Sequence, residues 1–305
     1  MPDIKKLAKD VWPYVVEMRR DFHRHPEPSY HEFRTTDRIA EELDKMGIPY
    51  RRFEPTGLLG EIVGGKPGKC IALRADIDAL SVKENTGLEY ASENEGFMHA
   101  CGHDTHTAML LGAAKVLSSL KDELCGTVKL MFQPAEELGS GAKTIIAQGA
   151  LEGVDAAFGM HIFSQAPAGT VCMTPGVILP AADSYKLCVE GVTCHGAEPN
   201  RGVDATVAAA AIVMNLQTIS SREFSPLEPV VVTVGTLHSG SRFNVVSNHA
   251  EMEGTVRLFD EELHKQIPGM MERIAKDTAA AFRCTASLEY NILCDMLVNE
   301  PNMAA

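Results

Sequence analysis

At 305 residues the chain is long enough for one large domain or two ordinary ones. Its 45% hydrophobic and 23% charged residues are those of a globular protein, and no apolar run approaches the ~20 residues that a membrane-spanning helix needs. With 28 basic against 41 acidic residues, a formal charge of -13 and no basic tract, the surface repels phosphate backbones, so neither nucleic acid nor a membrane is expected as a partner.

The N-terminal stretch MPDIKKLAKDVWPYVVEMRRDFHRH is charged throughout and lacks the apolar core of a signal peptide, so the chain reads as cytoplasmic. Residues 4–23 pattern as an amphipathic helix, and the Pro-rich HRHPEPSYHE stretch follows as a loop. A second helix is expected over 31–46, with Ile39, Leu43 and Met46 on one face and Gly47 as its stop. Short apolar runs near 58–65 and at 70–80 read as strands, the second one buried. A helix over 105–120, a strand at 126–133, a short helix at 141–148 and a buried strand at 154–162 come next. This alternation implies an α/β layer, a mainly parallel sheet flanked by helices. Near residue 182 the pattern changes. Strand 184–192, helix 203–219, strands 230–237 and 250–258, helix 261–282 and strand 284–293 give the order of a small α+β, ferredoxin-like sandwich. The expected division is therefore a metal-binding domain over 1–182, a second domain over 183–294, and the start of a return to the first over 295–305. The eight cysteines (Cys70, Cys101, Cys125, Cys172, Cys188, Cys194, Cys284 and Cys294) are irregularly spaced with no CxxC pair, which predicts reduced thiols. Most are expected to be small buried hydrophobes, Cys101 excepted.

Four short motifs carry chemistry. In MHACGHDTH, Cys101 and His103 flank Gly102 in a loop before a helix whose first turn Asp104 is placed to cap, and a thiolate beside an imidazole suits a borderline transition metal. In QPAEE, a strand ends at Gln133, Pro134 stops it, and Glu136 and Glu137 follow at a strand end, where α/β active sites lie. Two crowded anions there call for a compensating cation. In GMHI, His161 closes a strand. In LRADIDAL, Asp76 and Asp78 share one face of the sheet, placed to hold a ligand or orient one. Taken singly, each has an ordinary structural reading: a buried thiol, a solvated helix start, a satisfied core histidine. Together the Cys, His, Glu and His fall at strand ends of one sheet and can converge on one rim, the makeup of a hydrolytic metal site.

The chain resembles the dinuclear metallopeptidases of the aminoacylase and carboxypeptidase G type. It is most similar to the branch of hippurate hydrolases, N-acyl-L-amino-acid amidohydrolases and plant indole-acetyl-amino-acid hydrolases. The resemblance runs from about residue 14 to 303 and rests on RRDFHRHPEPSYHEFRT, LRADIDAL, MHACGHDTH, FQPAEE, GMH, CHGAEP and the NVV…GTVR stretch. It implies a fold of the phosphorylase/hydrolase-like, zinc-exopeptidase type with an inserted lid and dimerisation domain. It further implies two divalent metal ions (manganese, zinc, cobalt or nickel), with Cys101 bridging them and His103, Glu137 and His161 as further ligands. Glu136 would be the general acid/base, with Asp78 orienting a ligand from behind. On the lid, His195 would stabilise the oxyanion, in many cases that of a partner subunit, while Asn244 and Arg257 would bind the substrate carboxylate. Cys194 stands where a glycine commonly precedes the lid histidine, and Asn200 where a histidine often follows the proline. The resemblance also implies that such chains continue for roughly another quarter of their length, returning to the first domain with a final histidine ligand. The activity it implies is metal-dependent hydrolysis of the amide bond of N-acyl-L-amino acids or small peptides by a homodimer. Two other tasks stay open on the sequence: an impaired homologue that only dimerises or binds ligand, and an N-acetyl-diamino-acid deacetylase.

Overall fold

A computed structural model describes residues 2–304. The chain forms two compact units, one up to Ala168 and the other from Gly169. No helix among the described residues is long and apolar enough to cross a membrane.

The first unit opens with helices α1 (Ile4–Arg24) and α2 (Phe33–Lys45). Strands β1 (Tyr50–Arg52), β2 (Leu58–Val63), β3 (Lys66–Asp76), β4 (Cys125–Gln133) and β5 (Ala156–Gly159) form one sheet in the order β1-β2-β4-β3-β5. Helix α3 (His103–Ser119) connects β3 to β4, and α4 (Gly141–Ala147) connects β4 to β5. The sheet is mixed rather than mainly parallel: β3 runs parallel to β4 and β5, whereas β2 is antiparallel to β4 and β1 to β2. The connections account for this. Parallel neighbours need a helical crossover, and α3 and α4 provide it; β1 and β2 are joined by a short loop that permits only a hairpin. Between β2 and β3 the chain turns at Gly64 and Gly65, where a Cβ would lie 2.5 Å from the Leu124 carbonyl and 2.7 Å from that of Asp122. This close approach sets β2 and β3 on either side of β4.

One core packs α1, α2 and α3 against the sheet through Phe22, Ile39, Leu43, Leu111, Leu130 and Phe132. A smaller one gathers Phe53, Leu59, Met131 and Ile145 on the opposite face. Strand β5, expected to be buried, is an edge strand among the described residues, and Phe158 on it is 39% exposed. The cysteines also depart from expectation. All eight are free, but Cys284 alone is buried and Cys125, Cys172 and Cys294 are exposed, because Cys125 and Cys294 lie at strand ends and Cys172 outside the strands rather than in the cores.

In the second unit, β6 (Gly176–Leu179) pairs with β13 (Leu297–Asn299), so residues 169–180 group with the C-terminal part of the chain. Strands β7 (Ala181–Glu190), β9 (Val230–Ser239), β11 (His249–Leu258) and β12 (Thr285–Cys294) form an antiparallel sheet in the order β12-β7-β11-β9. Helices α5 (Ala205–Leu216) and α6 (Glu261–Ala281) complete the βαββαβ sandwich. Its core is apolar, with Leu187, Val189, Ile212, Met252, Ile267 and Met271 at its centre. A two-residue pair, β8 (Cys194–His195) with β10 (Val245–Val246), stands beside it.

Candidate metal centre

Strands β3, β4 and β5 are mutually parallel, so their C-terminal ends lie on one rim, where α/β active sites form. Chain leaving those ends carries Asp76 and Asp78, then Glu136 and Glu137, then His161. Residues 101–103 reach the same rim from the start of α3. Gly102, at φ 97, makes this possible: glycine takes that left-handed backbone without strain and lets the Cys101–His103 loop come close to Ile162 in the His161 loop.

Three sets of ligand atoms result, all sharing His103: Cys101 with His161, Glu136 with Glu137, and Asp76 with His106. Cys101 Sγ lies 3.3 Å from His161 Nε2. His161 Nδ1 faces the Ile162 carbonyl at 2.6 Å, which can only accept, so Nδ1 carries the proton and Nε2 presents its lone pair. His103 is fully buried, and its Nδ1 lies 2.9 Å from the Asp78 carbonyl and 3.2 Å from Asp78 Oδ1, which fixes its tautomer in the same way. Its Nε2 stands 3.8 Å from Glu137 Oε1 and 3.9 Å from Glu136 Oε2. Both His103 Nε2 and Glu137 Oε1 are buried with no hydrogen-bond partner among the described residues. Such orphaned atoms are costly unless something else satisfies them, and a divalent cation suits a thiol, imidazoles and carboxylates alike.

The electrostatics agree. Burial, then the Glu137 carboxylate beside it, push the Cys101 thiol up to about 12. Burial opposes a charge on His103, but the hydrogen bond to Asp78 and the Asp76 carboxylate outweigh it and hold the ring up to about 8. Burial and the Asp76 charge raise Glu136 above the ordinary carboxylate range. A thiol that resists ionising, a histidine that keeps its proton and a carboxylate that takes one up are the responses of a site that lacks positive charge.

The two adjacent glutamates differ. Glu137 is anchored, its amide donating to Asp78 Oδ2 at 3.1 Å and its side chain 22% exposed. Glu136 is 41% exposed and open to an incoming molecule. Asp78 takes hydrogen bonds from Ser29 Oγ at 2.6 Å as well as from Glu137 and His103, and these hold it below the usual carboxylate range although burial opposes ionisation.

His106 is a site residue that the sequence pattern did not single out. Its Nδ1 lies 2.5 Å from Asp76 Oδ1, and its Nε2 accepts the Ile162 amide at 3.0 Å. Both ring nitrogens are therefore satisfied, and His106 steadies the His161 loop. The i, i+3 spacing from His103 places both rings on one helix face and was the available signal. Asp104 does not cap α3. Its carboxylate is taken by Arg19 Nε and His23 Nδ1, each at 2.9 Å, because α1 packs across the start of α3 and supplies stronger, charged donors.

In the second unit, His195 and Asn244 come together: His195 pairs with Val245, and Gly196 donates to the Asn244 carbonyl at 2.8 Å. Asn244 Oδ1 is buried without a hydrogen-bond partner among the described residues, and His195 is exposed. The Arg257 guanidinium on β11 is engaged by Thr255 Oγ1 and the Val256 carbonyl.

Comparison with known proteins places this rim in context. Residues 72–289 match the model of peptidase family M20/M25/M40. The chain is 39% identical over 291 residues to the thermostable carboxypeptidase 1 of Saccharolobus solfataricus, covering 94% of this chain and 74% of that one. It is 41% identical over 281 residues to an N-acyl-L-amino acid amidohydrolase of Geobacillus stearothermophilus, covering 92% and 76% respectively. Among solved structures, a dinuclear metal-binding peptidase of the M20 family from Bacillus subtilis matches with a TM-score of 0.85 and 35% identity, over 98% of this chain and 78% of that one.

Proposed function

This chain belongs to peptidase family M20/M25/M40 and is a metal-dependent hydrolase of amide and peptide bonds with a dinuclear metal site, and we propose that its substrates are N-acyl-L-amino acids. The carrying observation is the facing pair of orphaned, buried atoms, His103 Nε2 and Glu137 Oε1, with the exposed carboxylate of Glu136 beside them.

Cys101, His103, Glu137 and His161 would hold the ions. The thiolate and imidazoles favour zinc, cobalt or nickel over the harder magnesium and calcium, and the carboxylates also suit manganese. When bound, the ions supply Lewis acidity, activating water and polarising the scissile carbonyl. Glu136 takes the proton of the attacking water and delivers it to the leaving nitrogen. Its exposure suits that task, and anchored Glu137 suits a ligand. Asp78 orients His103 through Nδ1. In this reading residues 1–182 are the catalytic domain, 183–294 a lid that also forms a homodimer, and 295–305 the start of a return segment. His195 would stabilise the oxyanion, and Asn244 and Arg257 would take the substrate carboxylate. The orphaned Oδ1 of Asn244, whose backbone carbonyl accepts the amide of the residue after His195, favours a ligand at that corner.

The test separates the two glutamates. Glu136→Gln should retain bound metal and lose ~10²–10⁴-fold in kcat on N-acetyl-methionine or hippurate, whereas Glu137→Gln should lose metal, measured by elemental analysis of the folded variants. The reverse pattern would exchange their roles. Turnover of dipeptides but of no N-acyl amino acid would move the substrate class to peptides.

A further inference from the structure

The sequence motif between α1 and α2 ends in an acid that the mechanism above leaves unused. Glu32 is fully buried, at 0% exposure. Its Oε1 accepts the backbone amide of Ala135 at 2.8 Å, and its Oε2 accepts the Thr56 hydroxyl at 2.5 Å. Burial raises its carboxyl above the usual range, and the Asp78 charge adds to this. A buried acid placed behind a rim already crowded with carboxylates costs stability, and the two donors it accepts from offset that cost.

What it holds is strained backbone. Ala135 has φ 49, in the left-handed region that a residue with a Cβ avoids, and is itself fully buried. The next two residues are Glu136 and Glu137. The turn is fixed on its far side, where the Ala135 carbonyl accepts the Gly141 amide at 3.1 Å and a Cβ on Gly141 would lie 1.7 Å from the Pro134 carbonyl. On the near side, the hydrogen bond from the Ala135 amide to Glu32 holds the left-handed residue in place.

We propose that Glu32 is the positioning residue of the two glutamates: by accepting the Ala135 amide it keeps that residue left-handed, and so aims Glu136 and Glu137 at the metal centre. This rests on the metal reading above. Without the acceptor, Ala135 relaxes toward ordinary φ, the turn rotates, and both carboxylates swing off the rim.

The experiment uses the full chain titrated with cobalt(II), whose visible absorption reports its ligand set, with thermal unfolding as a check on folding. Glu32→Gln keeps an acceptor for the Ala135 amide and should bind cobalt within about threefold of the parent. Glu32→Met keeps the bulk without the acceptor and should weaken cobalt binding ~10–100-fold and alter the spectrum of the bound ion. Should Glu32→Met not fold, Glu32→Asp, whose shorter arm does not reach the Ala135 amide, carries the same expectation. Adding Ala135→Gly, which takes positive φ without strain, to the weakened variant should recover part of the cobalt affinity without recovering thermal stability; a merely structural acid would give no such separation. Parent-like cobalt affinity and spectrum in Glu32→Met or Glu32→Asp, or an equal loss in Glu32→Gln, would overturn the role of Glu32 and leave the metal centre standing. A parent chain that takes up no cobalt would overturn the metal centre and this inference with it.

Discussion

In the unit up to Ala168, the side chains buried around the sheet's rim include Asp76, Asp78, His99, His103, Asp104 and His106, besides Glu32 and His23 further back. In the unit from Gly169, the buried polar and charged side chains among the described residues are Asp183, His264 and Thr278. The two units also satisfy these groups differently. Asp183 Oδ2 lies 2.7 Å from His264 Nε2 and takes the Tyr290 hydroxyl at 2.6 Å, one tie binding α6 and β12 to the start of β7. Asp183 Oδ1 has no partner among the described residues but stands alone, whereas at the rim of the first unit two such atoms, His103 Nε2 and Glu137 Oε1, face each other at 3.8 Å. Buried polar groups that are paired serve the fold, whereas buried polar groups left open at one point mark where something else binds.

The comparison breaks most visibly if the open atoms are removed. Cys101→Ala and His103→Ala should each abolish stoichiometric metal binding and with it amide hydrolysis, measured by elemental analysis and turnover. The parent should also gain thermal stability when zinc or cobalt is added, about 2.7 kcal/mol at a hundred times the dissociation constant, and neither variant should. Unchanged stoichiometry in both folded variants would show that the rim's orphans are structural. The converse change sharpens the contrast: Asp183→Ala leaves His264 and Tyr290 without their shared acceptor. Breaking a buried pair of this kind costs about 3–5 kcal/mol, so unfolding by denaturant should shift markedly while metal content per folded chain stays at the parent's value. Loss of metal in Asp183→Ala would mean that the tie reaches beyond its own unit.

The same contrast explains what could be read before the structure. The βαββαβ order of the second unit was legible because each element carries its own periodicity and its core is mostly apolar. In the first unit the helices and most strands were legible too, but the mixed sheet was not, since nothing local says that β2 and β3, separated by Gly64 and Gly65, lie on either side of β4. At the site, CGHDTH and QPAEE stood out because neighbouring residues there share one task. Glu32 with Ala135, His106 with Ile162 and Asp104 with Arg19 escaped because their partners are 56 to 103 residues away in the chain. Asp104 was mistaken for a cap for that reason: a helix-start aspartate looks the same whether the local amides or a distant arginine take it. His161 was expected to close a buried strand, yet it lies exposed two residues beyond an edge strand, with its Nε2 3.3 Å from Cys101 Sγ.

The smallest expected effect concerns the polar cluster behind the rim. His23 is buried between two acids, with Nδ1 2.9 Å from Asp104 and Nε2 3.3 Å from Glu84. Arg19 and Tyr90 also face this group, and His99, which burial lowers to about 4, stays neutral near pH 7. The Asp104 hydrogen bond raises the His23 pKa, more than burial lowers it. Burial opposes ionisation of Asp104, but the His23 hydrogen bond and the Arg19 charge outweigh it and lower its pKa. The signs then set the window. The contribution of His23 is full below its unfolded value of about 6.5 and fades as pH rises through the higher folded one; that of Asp104 is full above about 3.9 and fades as pH falls through its lower folded value. Between about pH 4 and 6.5 the pair stabilises fully, and the loss comes on the alkaline side. His23→Gln keeps a donor to Asp104 but does not titrate there. In chelator, denaturant unfolding of the parent should therefore lose stability relative to His23→Gln as pH rises from mildly acid to mildly alkaline, with a slope of at most about 1.4 kcal/mol per pH unit. Parallel curves would mean that His23 is not charged in the fold, and that Arg19 is the cation that holds Asp104.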